Sequence, residues 1–416
     1  MIQEHSAGGW NARKHRLGVS VLQASERRMA WIFDRFSKVC VSCSGGKDST
    51  VLLHLALAEA RRRGRRIGVL LVDLEAQYKL TIDHLLRLRA ESLDAADWYW
   101  VSLPIILRNA VSSLEPRWLC WDPARTGVWV RTPPTGAIVD ETYFSWFKRG
   151  MEFEEFVPLF AEWYAGGQQT CFLVGIRAGE SLNRQRTLFQ EKARYHNVAW
   201  TTVMSDHAVN AYPIYDWNTS DIWVYHARTG TSHNPIYDRM HRAGLTISQM
   251  RLCQPYGDDQ RQGLWLFHVL EPETWGKIVS RVAGANQGSL YAGEIGNILG
   301  NNRVKLPAGH TWQSFSELLL NTLPPRRREM YSAKIAVFLT WWQDKGYPEV
   351  PDSIDPSKEA SREAPSWRRI CRAILRNDYW CKGLGFSQQK SGWVDQYLEK
   401  QKVKRHTPDL PLFLQT

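Results

Sequence analysis

Residues 39–66 read VCVSCSGGKDSTVLLHLALAEARRRGRR and set Ser44, Gly45, Gly46, Lys47, Asp48, Ser49 and Thr50 between two apolar stretches. These residue types suit an anion. Adjacent glycines let backbone N–H groups come close, hydroxyls donate, Lys47 adds charge, and a helix starting near Ser49 contributes the positive potential of its N-terminus. A phosphate cradle is the reading that uses all of them, with Asp48 as an Mg²⁺ ligand or as the residue that orients the loop. The spacing is not Walker A, which needs four residues between the first Gly and Gly-Lys. A plain glycine turn has no need of two Ser, a Lys and an Asp around it.

Other residues could complete such a site. Asp73 and Glu75 follow the run IGVLLV, at the carboxyl edge of a predicted strand, where open α/β folds bind ligands. In GIRAGES, Gly175 permits close backbone approach, and Arg177 offers a fork of donors suited to phosphate or sulfate. Glu180 and Arg184 either serve the ligand or form an i,i+4 pair. Asp216 precedes a helix that Thr219 or Ser220 could cap, so it suits a ligand contact or a turn. The candidate catalytic set is Lys47, Asp48 and Arg177. Ser44, Gly45, Gly46, Ser49, Thr50, Asp73, Glu75, Gly175, Glu180, Arg184 and Asp216 are the candidate cofactor contacts.

Alternating elements must position these residues. Met29, Ile32, Phe33 and Phe36 recur at helical spacing, with Ser25, Glu26 and Arg27 on the polar side of that helix. KVCVS (38–42) is a short buried strand and 49–60 a buried helix, which Arg61–Arg63 and Gly64 end in agreement with the helix dipole and a glycine cap. Strands are predicted at 67–73, 98–103 and 171–176, with helices near 79–95, 151–165 and from 179. The continuous apolar strands indicate a parallel sheet covered on both faces, an open α/β fold. From about 235 helical periodicity dominates, as in Tyr331, Ile335, Phe338 and Trp342. The expected division is 1–235 for the nucleotide domain, 236–345 for a helical extension that completes the site, 346–366 for a Pro- and Ser-rich linker, and 367–416 for a basic tail.

Composition limits the function. The chain has 416 residues, 44% of them hydrophobic, and no run near the roughly 20 apolar residues that span a bilayer. The first residues lack a signal-peptide core, so a cytoplasmic protein with no membrane partner is expected. A net charge of +11 favours nucleotides or nucleic acid. Seven scattered cysteines argue against a disulfide framework, and Cys40 and Cys43, although spaced C-x-x-C, are expected as small buried side chains. Twelve histidines show no zinc spacing. Trp98, Trp100, Trp118, Trp121 and Trp129 build walls or offer a stacking platform.

The whole pattern resembles the phosphoadenosine-phosphosulfate (PAPS) reductase branch of the PP-loop adenine-nucleotide α-hydrolase superfamily. SGGKDS looks like its PP-loop, LLVDLEAQY (70–78) its adenine-holding strand end, and VGIRAGESLNR (174–184) its G-x-R-A-x-E-S signature. YPIYDWNTSDIWVYH (212–226) and NPIYDRMHRAG (234–244) resemble two further segments of that branch. DLEAQY, MRLCQPYGDDQRQGL (250–264) and the long C-terminal extension look like the immunoglobulin-binding regulator A type, which implies a ParB-like partner and a regulatory or phage-defence setting that includes transcription co-activation. The resemblance implies ATP or PAPS with Mg²⁺ and reaction at the α-phosphorus with release of pyrophosphate. The E-C-G-x-H segment of the reductases and the paired cysteines of the iron–sulfur enzymes are missing, so no iron–sulfur cluster is expected.

Three functions follow as expectations: a nucleotide-cleaving enzyme that adenylates or modifies an acceptor such as nucleic acid, a PAPS reductase using an unfamiliar thiol such as Cys253, and a nucleotide-switched nucleic-acid-binding regulator. A homo-oligomer is compatible with each. Between Trp367 and Arg405 the basic residues outnumber the acidic ones. Trp367, Ile370, Cys371 and Ile374 form one helical stripe that leaves Arg368, Arg369, Arg372 and Arg376 for solvent or, with KQKVKR (400–405), for a phosphate backbone.

Overall fold

The computed structural model describes residues 18–112, 115–189, 193–257, 264–282, 285, 306–307, 309–323, 325–375, 378 and 381–386. Arg376 and KQKVKR (400–405), expected to line a phosphate track, lie outside the described residues, as do 258–263 of the MRLCQPYGDDQRQGL segment. The chain forms two compact units that interleave in sequence. The first takes in Met1–Leu71, His84–Tyr99 and Ala161–Asn234, and the second Val72–Asp83, Trp100–Phe160 and Pro235–Thr416.

The first unit is built on the predicted alternation. Helix α1 (Val21–Arg35) opens with a capping box between Ser20 and Gln23 and buries Met29, Ile32 and Phe33. Ser25 is buried as well, not on the polar side, because its hydroxyl donates to the Pro213 carbonyl at 2.9 Å and accepts from Trp217 Nε1 at 2.8 Å. Strand β1 (Lys38–Ser42) leads to α2 (Lys47–Arg62), followed by β2 (Ile67–Val72), α3 (Lys79–Glu91) and β3 (Ala96–Val101). Next come β4 (Ile106–Arg108) and β5 (Arg117–Leu119), a short antiparallel pair in the second unit, then α4 (Phe153–Ala165), β6 (Thr170–Leu173) and α5 (Leu182–Phe189).

Strands β7 (Thr201–Val203) and β8 (Ala208–Ala211) complete a six-stranded sheet in the order β3-β2-β1-β6-β8-β7. β1 runs parallel to β2 and β6, and β6 parallel to β8, while β7 is an antiparallel edge. The fold is thus α/β with a mostly parallel sheet, as expected apart from that edge. Its register sets Cys40 beside Gly68 and Phe172, so β1 is flanked on both sides and its carboxyl end faces the first turn of α2 along the chain.

Helix α6 (Thr219–Thr229) closes the first unit's sequence, capped by Asn218 and ended by Gly230 in the left-handed conformation. From Pro235 onward the described residues carry helices and no strand: α7 (Ile236–Arg242), α8 (Leu264–Leu270), α9 (Pro272–Arg281), α10 (Trp312–Thr322), α11 (Pro325–Asp344), α12 (Pro356–Ser361) and α13 (Trp367–Leu375). The predicted stripe Tyr331, Ile335, Phe338 and Trp342 is buried against Ile370, Ala373, Ile374 and Leu384.

Two expectations about this part need correction. The stretch 346–366 is not a linker: it carries α12, Trp367 N donates to Pro351 O, and the Ser366 hydroxyl donates to Glu359 at 2.7 Å. Its polar residues start a helix: Asp355 caps α12 by accepting from Ser357 N, and Pro356 is its first residue. Arg369 does not join a solvent face. It is buried, donates to Gly383 O at 2.6 Å and lies 5.4 Å over the Phe338 ring. Among the described residues no helix is long and apolar enough to cross a membrane.

Candidate nucleotide-binding site

The strand–loop–helix at Ser44–Ser49 forms as the residue types demand. Gly45 takes φ +72°, a conformation that costs a residue with a Cβ, and Gly46 is the N-cap of α2. Cys43 N donates to Leu70 O at 2.9 Å, fixing the exit from β1. The serine hydroxyls hold the loop itself: Ser44 N donates to Ser49 Oγ at 3.2 Å, the two Oγ atoms are 3.1 Å apart, and Ser49 Oγ donates to Gly46 O at 3.1 Å. The N-cap Gly46 makes no side-chain cap bond to α2, whose N-terminus therefore presents its positive pole at the loop, and Gly46 N donates to Ser44 Oγ at 3.4 Å.

Charge is concentrated at that turn. Lys47 is buried at 5% exposure, and its Nζ lies 3.3 Å from Asp48 Oδ2. Arg177 Nε donates to Asp48 Oδ1 at 2.5 Å, and its Nη1 reaches Thr219 Oγ1 at 3.3 Å. Arg177 is itself 2% exposed, so its fork is directed at the protein, where it fixes Asp48. Asp48 therefore faces two cations and does not fit the part of a magnesium ligand. Among the described residues no cluster of three or more His, Cys, Asp or Glu is arranged for a metal.

Gly175 makes the expected close approach, but to protein. A Cβ there would lie 3.2 Å from Ser49 N and 3.3 Å from the carbonyl carbon of Asp48, so any larger residue would push the segment after β6 off the first turn of α2 by a few tenths of an ångström. Thr50 turns inward, fully buried, with its Oγ1 3.2 Å from His84 Nε2. Burial, reinforced by the charge of Arg87, pushes the His84 pKa down to about 3. Cys43 is buried beside the loop, and burial pushes its thiol up to about 11, which leaves it an unreactive small side chain.

The remaining candidates of the first unit lie in local pairs. Asp216 takes both nitrogens of Arg28, at 2.8 and 2.7 Å, and Arg28 also stacks over Tyr215. This clamps the PIYDW segment to α1, a scaffold role. Glu180 and Arg184 form the i,i+4 pair at 3.7 Å.

Asp73 and Glu75 belong to the second unit, and their carboxylates are enclosed. Asp73 accepts from Trp100 Nε1 at 2.7 Å, from Glu75 N at 3.1 Å and from Arg131. Glu75, at φ +66°, accepts from Trp121 N, Val130 N and both Nε and Nη2 of Arg281, at 2.7, 3.1, 2.6 and 3.0 Å. With a side-chain exposure of 0%, it has nothing left to offer a ligand, which corrects its reading as a cofactor contact. The tryptophans expected as walls do that work here: Trp100, Trp118 and Trp121 are buried around this network.

Sequence reading passed over Arg28, His84, Arg131, Asn234 and Arg281. Asn234 carried the only available signal, as the first residue of the quoted NPIYD segment; its Nδ2 donates to Gly45 O at 3.0 Å. The others are single charged or titratable residues in helices and loops, with no spacing that marks them.

Comparison with known proteins gives the chain's relatives. A model of the phosphoadenosine phosphosulfate reductase domain matches residues 152–247, and a domain of unknown function (DUF3440) matches 244–354 and 347–394. An uncharacterized protein of Methanocaldococcus jannaschii, MJ0066, is 24% identical over 212 residues, 48% of this chain and 34% of that one. Among solved structures, the PAPS reductase of Candida auris is similar at 11% identity with a TM-score of 0.29, over 52% of this chain and 84% of that one. The uncharacterized protein YbdN of Escherichia coli is 42% identical over 393 residues, 94% of this chain and 96% of that one. The chain, in which a match to the phosphoadenosine phosphosulfate reductase domain is followed by a match to DUF3440, therefore belongs to the family of Escherichia coli YbdN.

Proposed function

We propose that the chain is a PP-loop enzyme that takes an adenine nucleotide, ATP or PAPS, by its phosphate end at the first turn of α2. The observation that carries this reading is the uncapped N-terminus of α2 behind Gly45 and Gly46, with Lys47 on its first residue. In the reaction with ATP an acceptor oxygen or sulfur attacks the α-phosphorus, a new bond to phosphorus forms, the bond to pyrophosphate breaks, and the acceptor's proton leaves to solvent; with PAPS the same attack breaks the bond to sulfate instead. The loop N–H groups and Lys47 favour the charge that develops on the departing pyrophosphate. Asp48, held by Arg177, positions Lys47. The chain's +11 charge supports an anionic acceptor such as nucleic acid. The immunoglobulin-binding regulator A resemblance supports a ParB-like partner, which co-purification tests.

A second reading rests on Cys253, the one cysteine of the seven that is not buried. In it the Cys253 thiolate attacks the sulfur of PAPS, adenosine 3′,5′-bisphosphate leaves, and an added thiol reductant attacks the resulting S-sulfocysteine, releasing sulfite as a disulfide forms. Incubation with ATP and with PAPS separates the readings. Pyrophosphate without sulfite is expected; sulfite that disappears in Cys253→Ser establishes the reductase, and the absence of both products leaves nucleotide as a switch.

A further inference from the structure

An anion-binding loop must keep its carbonyl oxygens away from the anion as well as present its N–H groups to it. Gly45 and Gly46 have no side chains to do this, so their carbonyls must be held from elsewhere. Gly46 O is held locally, by Thr50 N at 2.9 Å and Ser49 Oγ at 3.1 Å. Gly45 O is held from a distance of 189 residues, by the Asn234 side-chain amide at 3.0 Å. Asn234 is fully buried, and Gly45 sits in the left-handed conformation at φ +72°, where its peptide plane depends on that partner.

We infer that Asn234 is a positioning residue for phosphate binding: its amide fixes the Gly45 carbonyl and so keeps the loop in its anion-accepting form before any ligand arrives. This rests on the nucleotide reading of the same loop and adds a residue that acts through the Gly45 carbonyl. The residue type follows from the task. The partner of a buried carbonyl must donate, and a neutral amide does so without adding charge near Lys47 and Asp48. An aspartate of the same shape would set an acceptor against an acceptor.

The test is calorimetry of the full chain with ATP, inorganic pyrophosphate and adenosine, for wild type, Asn234→Asp and Asn234→Ala. Both variants should bind ATP and pyrophosphate about 10- to 100-fold more weakly, the effect of losing a buried hydrogen bond, with the Asp variant the weaker. Adenosine affinity should stay within about twofold, because the loop does not read the base. A purely structural role would weaken all three ligands together, and that result overturns the inference, as does unchanged pyrophosphate affinity in both variants. Wild type that binds neither ATP nor pyrophosphate overturns the nucleotide reading, and the inference with it. Should the Asp variant not fold, the Ala variant carries the same comparison, and hydrogen exchange at 44–49 should be faster in it than in wild type.

Discussion

Asp48 with Arg177 and Glu75 with Arg281 are the same chemical pair in two settings. Glu75 and Arg281 have side-chain exposures of 0% and 1%, and the carboxylate receives two backbone N–H groups as well as the guanidinium. Asp48 and Arg177 sit at 14% and 3%, beside a helix N-terminus that no side chain caps. Both carboxylates look alike in a sequence, each near the end of an apolar strand. Saturation separates them: one carboxylate has all its acceptor positions filled by its own unit, while the other orders the first turn of a helix whose N-cap is a glycine. A charged residue at a strand end points to a ligand only when its own fold has not already claimed it.

The comparison is sharpest where the pair is sealed. Glu75→Gln leaves the Arg281 guanidinium buried without its charge partner, so a loss of about 3–5 kcal/mol in stability is expected from urea unfolding. A loss below about 1 kcal/mol would mean that the network relaxes, and Glu75 would return as a ligand candidate. Arg177→Ala comes next. It frees Asp48 beside Lys47, and binding of the phosphate end of ATP should weaken by roughly 1.5–3 kcal/mol with adenosine nearly unaffected. Equal losses for ATP and adenosine by calorimetry would make this pair a scaffold like the other.

The loop, its flanking strand and helix, and the sheet were legible because glycine pairs, continuous apolar strands and long apolar helices each have one cheap conformation. Strands β4, β5, β7 and β8 were not, since three or four residues such as AVNA carry no period that distinguishes them from loop. The loop setting of Lys47 and Asp48 and the tight backbone at Gly175 were legible, while the partners of Arg177, Thr50 and Asp216 were not. Those three side chains turn to Asp48, His84 and Arg28, partners 34 to 188 residues away, which spacing along the chain does not encode. The run at 346–366 misled for a related reason, because Pro, Ser and Asp serve equally in linkers and at helix starts.

Protonation offers a smaller perturbation of the first unit. His84 is buried and neutral, its pKa pushed down from 6.5 to about 3 by burial and then by Arg87, whereas the unfolded chain takes up its proton near the ordinary value. Burial also pushes His226 down to about 4. The unfolded state therefore binds more protons between these values, so the stability these groups contribute is complete above about pH 6.5 and is lost on acidification toward pH 4 and 3. Each should add a slope of about 1.4 kcal/mol per pH unit in that window. His84→Gln should remove its share of the slope in urea unfolding between pH 4.5 and 6.5, and an unchanged slope would show that His84 is protonated in the folded chain.

The smallest effect is expected at the basic helix α13. Arg368 donates to Glu359 at 2.9 Å and to Ile354 O at 2.7 Å, and Arg372 reaches the same carboxylate at 3.5 Å. Burial raises the Glu359 pKa, but its bonds to Arg368 and Ser366 outweigh that and hold it below the ordinary value. One acid thus serves two arginines, and with Arg369 buried the described part of the expected phosphate-tracking face comes down to the more exposed side of Arg372, 40% accessible. Arg372→Ala should change stability by only about 0.2–1 kcal/mol, the range of a screened surface pair. A guanidinium already turned to Glu359 contributes little to a nucleic-acid contact, so the slope of log affinity against log salt for DNA or RNA should shift by clearly less than the roughly 1 that marks the loss of a phosphate contact. A full unit of change would show Arg372 leaving Glu359 for a phosphate, and would make α13 a nucleic-acid surface that forms only on binding.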